Sequence, residues 1–349
     1  MKKEVAMRAV VKENEGIGAV LKDVEKPVLN EGEVLVKVKA AAICGTDQHI
    51  YVWNTWAQNN NIKLPTILGH ECSAEVVEVG PGVKGLKPGD YVACETHIPC
   101  GECYQCKNGE QHICGNLKLF GIHTNGCYAE YAKIPAICAV KIPESINPNV
   151  GAVLEPLGTA VRANVEVQSS GKNVAVIGCG PIGLMAVGAA KAFGAANIYA
   201  IDINDYRLGI AKEMGATEII NSSLDKAGEK LVELTNGVGV DAFIDASGNT
   251  AAILEGFKGL RKGGRVALIG LPSRPLEIDL GSQVVFKEAT IIGIHGRRMF
   301  ETWTTMSNLL DKGLLNIDPV ITHVLKLEEF EKGFEIAQNG MGGKIILVP

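Results

Sequence analysis

Cys100, Cys103, Cys106 and Cys114 are separated by two, two and seven residues. Four thiolates so placed can wrap one tetrahedral metal ion, and zinc suits a closed structural site of that kind. An iron–sulfur cluster is the rival, although gaps of two, two and three serve it better. A disulfide reading conflicts with the context. The chain has 349 residues, and its opening Met-Lys-Lys-Glu-Val has no apolar signal core.

A second set of ligand types stands upstream in Cys44-Gly-Thr-Asp47 and Gly69-His70-Glu71, each after an apolar run. A thiolate, an imidazole and a carboxylate form a mixed set, and mixed sets that keep a position open are the catalytic kind. Glu155-Pro156 offers another carboxylate. Taken singly, Cys44 reads as a buried inert thiol and His70 as a core histidine; beside the cysteine loop they read as ligands. Thr46 and His49 follow Cys44 by two and five residues. A hydroxyl and an imidazole in that order could pass an alcohol proton to solvent. His97 lies just before the cysteine loop, where it either faces a substrate or packs. Arg297 offers a two-point partner for a carboxylate, against a cofactor phosphate contact or a surface charge.

Downstream, Gly178-Cys-Gly180-Pro-Ile-Gly183 follows the apolar strand Val174–Ile177 and opens a helix of small residues to about Phe193. This is a dinucleotide fingerprint: glycines allow a tight turn and close approach to a pyrophosphate at a helix N-terminus. Asp202 follows Gly183 by 19 residues, at the end of the next strand. A carboxylate there accepts from ribose hydroxyls and repels a 2′-phosphate, which favours NAD over NADP. Arg207 complicates that reading, because an arginine also cradles a 2′-phosphate. A Lewis acid beside a nicotinamide is what alcohol oxidation requires.

The elements that must hold these groups fall into two textures. Residues 1 to about 155 read as β-rich, with alternating strands at 33–40 and 73–80 and turns at Pro81-Gly82 and Lys87–Asp90. From about 172, strands near 174, 198, 243 and 265 alternate with helices, one of them Tyr206–Met214 ending at Gly215. That order implies a parallel sheet with helices on both faces. The terminal run Lys344-Ile-Ile-Leu-Val348 must pair with some sheet. Hydrophobic residues make up 46% and net charge is −5 without a basic block, which argues for a globular chain and against nucleic acid or an anionic membrane as partner. The apolar stretch Val174–Ala190 is short for a membrane span and is broken by Gly-Cys-Gly-Pro. Ten cysteines without secretory features point to the cytoplasm.

In this order, Gly69-His70-Glu71, the cysteine loop, Glu155-Pro156 and the Gly178 fingerprint resemble the zinc-dependent medium-chain dehydrogenase family over essentially the whole chain. The resemblance implies a GroES-like β-barrel catalytic domain from residues 1–157 and 297–349, around a Rossmann domain at 158–296. It implies a catalytic zinc at Cys44, His70 and Glu155, with Glu71 as additional or exchanging ligand, and a structural zinc at Cys100, Cys103, Cys106 and Cys114. Ala42–Tyr51, Trp53–Gln58 and Gly296–Trp303 are similar to the signatures of the branch that oxidises the L-threonine hydroxyl to 2-amino-3-oxobutanoate. For that branch Thr46 and His49 are the proton relay. Ile182, Asp202, Arg207, the turn Ile269-Gly270-Leu271 and Ile294-His295 are NAD contacts. The branch further implies a cytosolic homotetramer. Thr159 stands where relatives carry Asn, and Arg162 where His or a smaller residue is common; both bear on substrate fit. A polyol or diol dehydrogenase needs the same metal, relay and hydride geometry and stays open.

Overall fold

The computed structural model describes residues 6–349. Two compact units divide the chain. One runs to Glu155 and resumes at Ile321–Pro349; the other is Pro156–Val320.

In the first unit the alternating run becomes the strand Glu33–Ala42, with Val34, Leu35, Val36 and Val38 buried and Lys37 exposed. Burial of both faces marks a central strand. It pairs antiparallel with Cys72–Val79, Tyr131–Pro135 and the terminal Lys344–Val348. The terminal strand sets Ile346 opposite Ala42 and runs parallel to Ile321–Lys326. Ile345 and Leu347 join Phe120, Tyr128, Phe330 and Phe334 in one core, where each buried aliphatic side chain contributes about 1.5–3 kcal/mol. Val20–Glu25, Ala6–Lys12 and Thr66–Ile67 form a separate three-stranded sheet.

The second unit is built on six strands, all parallel: Glu218–Asn221, Asn197–Asp202, Asn173–Ile177, Val240–Asp245, Leu260–Leu268 and Thr290–Gly293, in that spatial order. Numbered along the chain this is 3-2-1-4-5-6, the doubly wound arrangement. The fingerprint helix spans Pro181–Ala192, and its glycines and alanines let it sit close on the sheet. Asn204 caps the next helix, Asp205–Met214, and Gly215 ends it.

One boundary differs from expectation. The chain returns to the first unit at Ile321, not near 297. The reason is apolar docking: Leu315, Ile317 and Val320 are buried, and Leu315 packs beside Met214 at Gly188 of the fingerprint helix. Among the described residues no helix is long and apolar enough to cross a membrane.

Candidate active site and metal centres

The four loop cysteines converge. The Sγ atoms of Cys100, Cys103, Cys106 and Cys114 all lie within 4.8 Å of one another, with Cys114 3.5 Å from Cys100 and 3.7 Å from Cys103. Cys103 starts the short helix Tyr104–Lys107, which turns Cys106 back toward it. The backbone N–H groups of Cys106 and Gly115 hold the Cys103 thiol down to about 6, and those of Glu102 and Cys103 lower Cys100. Burial pushes the Cys106 thiol up to about 12, so the lowered thiols are Cys100 and Cys103; the four-sulfur cage fits structural zinc.

The mixed set is assembled from two turns. Cys44 caps the helix Gly45–Val52 directly after the central strand, and Asp47 in its first turn accepts from the Cys44 N–H at 3.0 Å. His70 and Glu71 follow Gly69, whose φ of +92° suits only glycine; a Cβ there would also stand 2.2 Å from the Tyr128 ring. Donor atoms of Cys44, His70 and Glu71 then fall within 4.8 Å of one another. Glu155, in the first turn of Leu154–Val167, lies outside that triplet yet acts electrostatically on Glu71 and on Lys344. The carboxylate standing with Cys44 and His70 in this structure is therefore Glu71.

Three further groups, not singled out from sequence, tune this set. Asp47 Oδ1 lies 3.1 Å from His70 Nδ1, and the Tyr128 hydroxyl donates to Asp47 Oδ2 at 2.7 Å. Burial alone would lower the His70 pKa; the Asp47 carboxylate and the Cys44 sulfur outweigh it and raise it well above the usual imidazole value. With a cation at the triplet, Asp47 would hold the proton on Nδ1 and leave Nε2 as ligand. Lys344, on the terminal strand, donates to Glu71 Oε1 at 2.7 Å, and both side chains are buried. Burial would strip the ammonium of its proton, and Glu71 and Cys44 keep it there. The donor set and its orienting partner fit zinc with an open position.

Thr46 is half-buried and His49 exposed, three residues apart on one helix and so on one face. Asn54 Oδ1 accepts from Trp56 and Ala57 N–H, so its amide nitrogen, 2.8 Å from His49 Nδ1, is the donor of that contact. His97 is buried and paired, its Nδ1 2.6 Å from Glu95 Oε1.

In the second unit Gly178 has a φ of +88° and lies against Ser247, while a Cβ on Gly183 would stand 1.7 Å from the Gly178 carbonyl. The loop is thus closed by its glycines. Asp202 Oδ2 accepts from Cys179 N–H at 2.6 Å, and Oδ1 from Ile203 and Asn204. Three of about four acceptor positions are occupied, leaving room for a hydroxyl. A cavity of 470 Å³ opens there, lined by Gly178, Gly180, Asp202, Ile203, Arg207 and Ser222. Ile182 lies in the first turn of the adjoining helix. Ile269-Gly270-Leu271 and Ile294-His295 follow the carboxyl ends of the fifth and sixth strands, where open parallel sheets take ligands. Arg297 is no surface charge: it is 1% exposed, with its guanidinium 5.7 Å from the Trp303 ring centroid. Arg162 turns to the His295 carbonyl and Glu166.

Fold and sites together define a dinucleotide-dependent, zinc-binding dehydrogenase. Residues 30–144 match the alcohol dehydrogenase GroES-like domain and residues 181–312 the zinc-binding dehydrogenase domain, and the chain belongs to the zinc-dependent alcohol dehydrogenase family. It is similar to the L-threonine 3-dehydrogenase of Bacillus velezensis, with 50% identity over 98% of this chain and 99% of that one. The L-threonine 3-dehydrogenase of Pyrococcus horikoshii is 45% identical over 98% of each chain. Among solved structures, 2R,3R-butanediol dehydrogenase from Bacillus subtilis superposes with a TM-score of 0.88 at 28% identity, covering 98% of this chain and 99% of that one.

Proposed function

We propose that the protein oxidises the hydroxyl of L-threonine to 2-amino-3-oxobutanoate, with NAD as hydride acceptor and one catalytic and one structural zinc per chain. The observation that carries the chemistry is the convergence of Cys44, His70 and Glu71 with Asp47 behind the imidazole. The substrate reading is supported by L-threonine 3-dehydrogenases up to 50% identical, against 28% for the butanediol enzyme. NAD is supported by Asp202 at the mouth of the cavity, where a 2′-phosphate would meet a carboxylate.

When bound, zinc supplies a Lewis acid that acidifies the alcohol, and the nicotinamide supplies the hydride acceptor. Cys44 and His70 would hold the catalytic ion with Glu71 or Glu155, and the four loop cysteines would hold the other. Asp47 fixes the tautomer of His70. Burial raises the Glu71 pKa, and the Lys344 ammonium opposes that rise, with Glu155 as the second carboxylate nearby. Thr46 takes up the hydroxyl proton as it passes its own on to His49, which hands a proton to solvent. The cofactor is held by Gly178, Gly180, Ile182, Gly183, Asp202 and Arg207, and by the turns at Ile269–Leu271 and Ile294–His295. We further infer a homotetramer of the cytoplasm serving threonine catabolism. An oligomer is supported by the sheet-edge strand Thr290–Gly293 and the exposed Leu280, Val285, Phe286 and Ile291 around it.

The test is NADH formation by the zinc-replete protein with L-threonine, sorbitol and 2,3-butanediol at equal concentration. L-Threonine should lead in kcat/KM by more than ~10-fold, because a site built to bind polar substrate groups rejects analogues that leave them unpaired. A lead for either polyol would overturn the substrate and leave the metal and hydride chemistry in place.

A further inference from the structure

The helix Leu154–Val167 carries Gly158, Arg162 and Glu166 at successive turns, hence on one face. Each meets the segment that follows the sixth strand. Gly158 lies against the Arg297 side chain so closely that a Cβ would stand 2.6 Å from its Cδ. Arg162 donates from Nη1 to the His295 carbonyl at 3.0 Å. Glu166 lies 3.1 Å from the Arg298 guanidinium and 3.7 Å from Arg162 Nε. Three consecutive helical turns therefore grip residues 295, 297 and 298.

That segment occupies a defined place. Gly178 and Asp202, at the ends of the first and second strands, line the cavity suited to the adenosine half. In a 3-2-1-4-5-6 sheet the second mononucleotide lies beyond the fingerprint strand, across the ends of strands four to six. Ile294 and His295 begin at the end of strand six, with the Ile294 N–H bound to the Leu268 carbonyl of strand five. On the ladder side the segment is pinned by that bond; on the helix side it is pinned by Arg162.

We propose that Arg162 is a positioning residue for the nicotinamide half of the cofactor: by holding the His295 carbonyl it fixes segment 294–298 in the conformation that receives the nicotinamide riboside. The inference rests on the dinucleotide reading above. It gives Arg162 a role in cofactor geometry instead of substrate fit.

The test compares NAD with ADP-ribose, which keeps the adenosine and pyrophosphate and lacks the nicotinamide. Binding of each to the full-length, zinc-loaded enzyme is measured by calorimetry for wild type, Arg162→Ala and Arg162→Lys. Arg162→Ala should weaken NAD about tenfold, the effect of losing a charged hydrogen bond. ADP-ribose affinity should stay within twofold. Arg162→Lys, which retains one donor, should recover part of the loss. Equal weakening of both ligands, or of neither, would overturn the proposal, since a general packing role moves both together. Should Arg162→Ala not fold, Glu166→Gln, which loosens the Arg162 and Arg298 anchors, carries the same comparison, with a smaller NAD-only loss expected. Wild-type enzyme that bound neither ligand would instead bring down the dinucleotide reading itself.

Discussion

The two candidate metal centres differ in how far their parts travel. The cysteine loop draws its four sulfurs from Cys100 to Cys114, and local turns alone bring them together. The mixed centre takes Cys44 from a helix cap, His70 and Glu71 from a tight turn, and an ammonium from Lys344, 273 residues beyond Glu71. The first can form wherever its loop does. The second exists only once the terminal strand has closed onto Glu33–Ala42. A local centre is thus a device for holding a loop, and a distributed one is a product of the finished fold.

The sharpest break of this comparison is a matched pair of ligand substitutions. Cys44→Ser should lower kcat by at least ~10³-fold, because it removes a ligand of the ion that acidifies the alcohol. The thermal midpoint should stay close to wild type, and metal analysis should fall from two zinc ions per chain to one. Cys103→Ser should do the reverse: a lower midpoint and a protease-sensitive loop, with residual activity in whatever stays folded. A Cys44→Ser protein that kept full turnover with one zinc would remove the catalytic reading of the mixed centre.

The same contrast sorts what was legible from sequence. The cysteine loop, the Gly178 fingerprint and Asp202 could be read because their spacing is their geometry. The strands at 33, 72, 173 and 197 could be read from alternation or continuous apolar runs. Asp47 was in plain view in Cys44-Gly-Thr-Asp47, but its task is set by His70, 23 positions away. Tyr128 meets Asp47 across 81 positions, and Arg162 meets His295 across 133. Lys344 opens an apolar strand, and nothing in Lys-Ile-Ile-Leu-Val indicates a buried carboxylate waiting for it. The return to the first unit at Ile321 has no such signal, since Leu315, Ile317 and Val320 are buried without a periodic pattern.

Lys344 offers the second test, on stability first. Lys344→Met keeps the strand apolar and leaves Glu71 buried without its cation. Breaking a buried pair from one side costs about 3–5 kcal/mol, so denaturant unfolding should show a loss of that order. Lys344→Met combined with Glu71→Gln should recover much of it, since no uncompensated charge remains. If the single variant were as stable as wild type, the ammonium would not be the partner that offsets the burial of Glu71, and the distributed character of the centre would shrink to its ligands.

The smallest effect concerns the relay, which sits between the two extremes: local in sequence, yet dependent on one orienting contact. Asn54 spends its carbonyl on the N–H groups of Trp56 and Ala57, so its amide can only donate to His49 Nδ1. That contact places the neutral ring's proton on Nε2 and fixes the ring's orientation. Asn54→Ala removes the orientation but leaves Thr46 and His49. Its cost should be about threefold to tenfold in kcat, a fraction of the ~10²–10⁴ that positioned proton transfer contributes, with KM for threonine unchanged. His49→Ala should cost more in kcat, and the double variant no more than His49→Ala alone, because on the proton path Asn54 acts through the imidazole. Additive losses in that cycle would mean that Asn54 acts through its cap on the helix Thr55–Gln58 alone and not on the proton path.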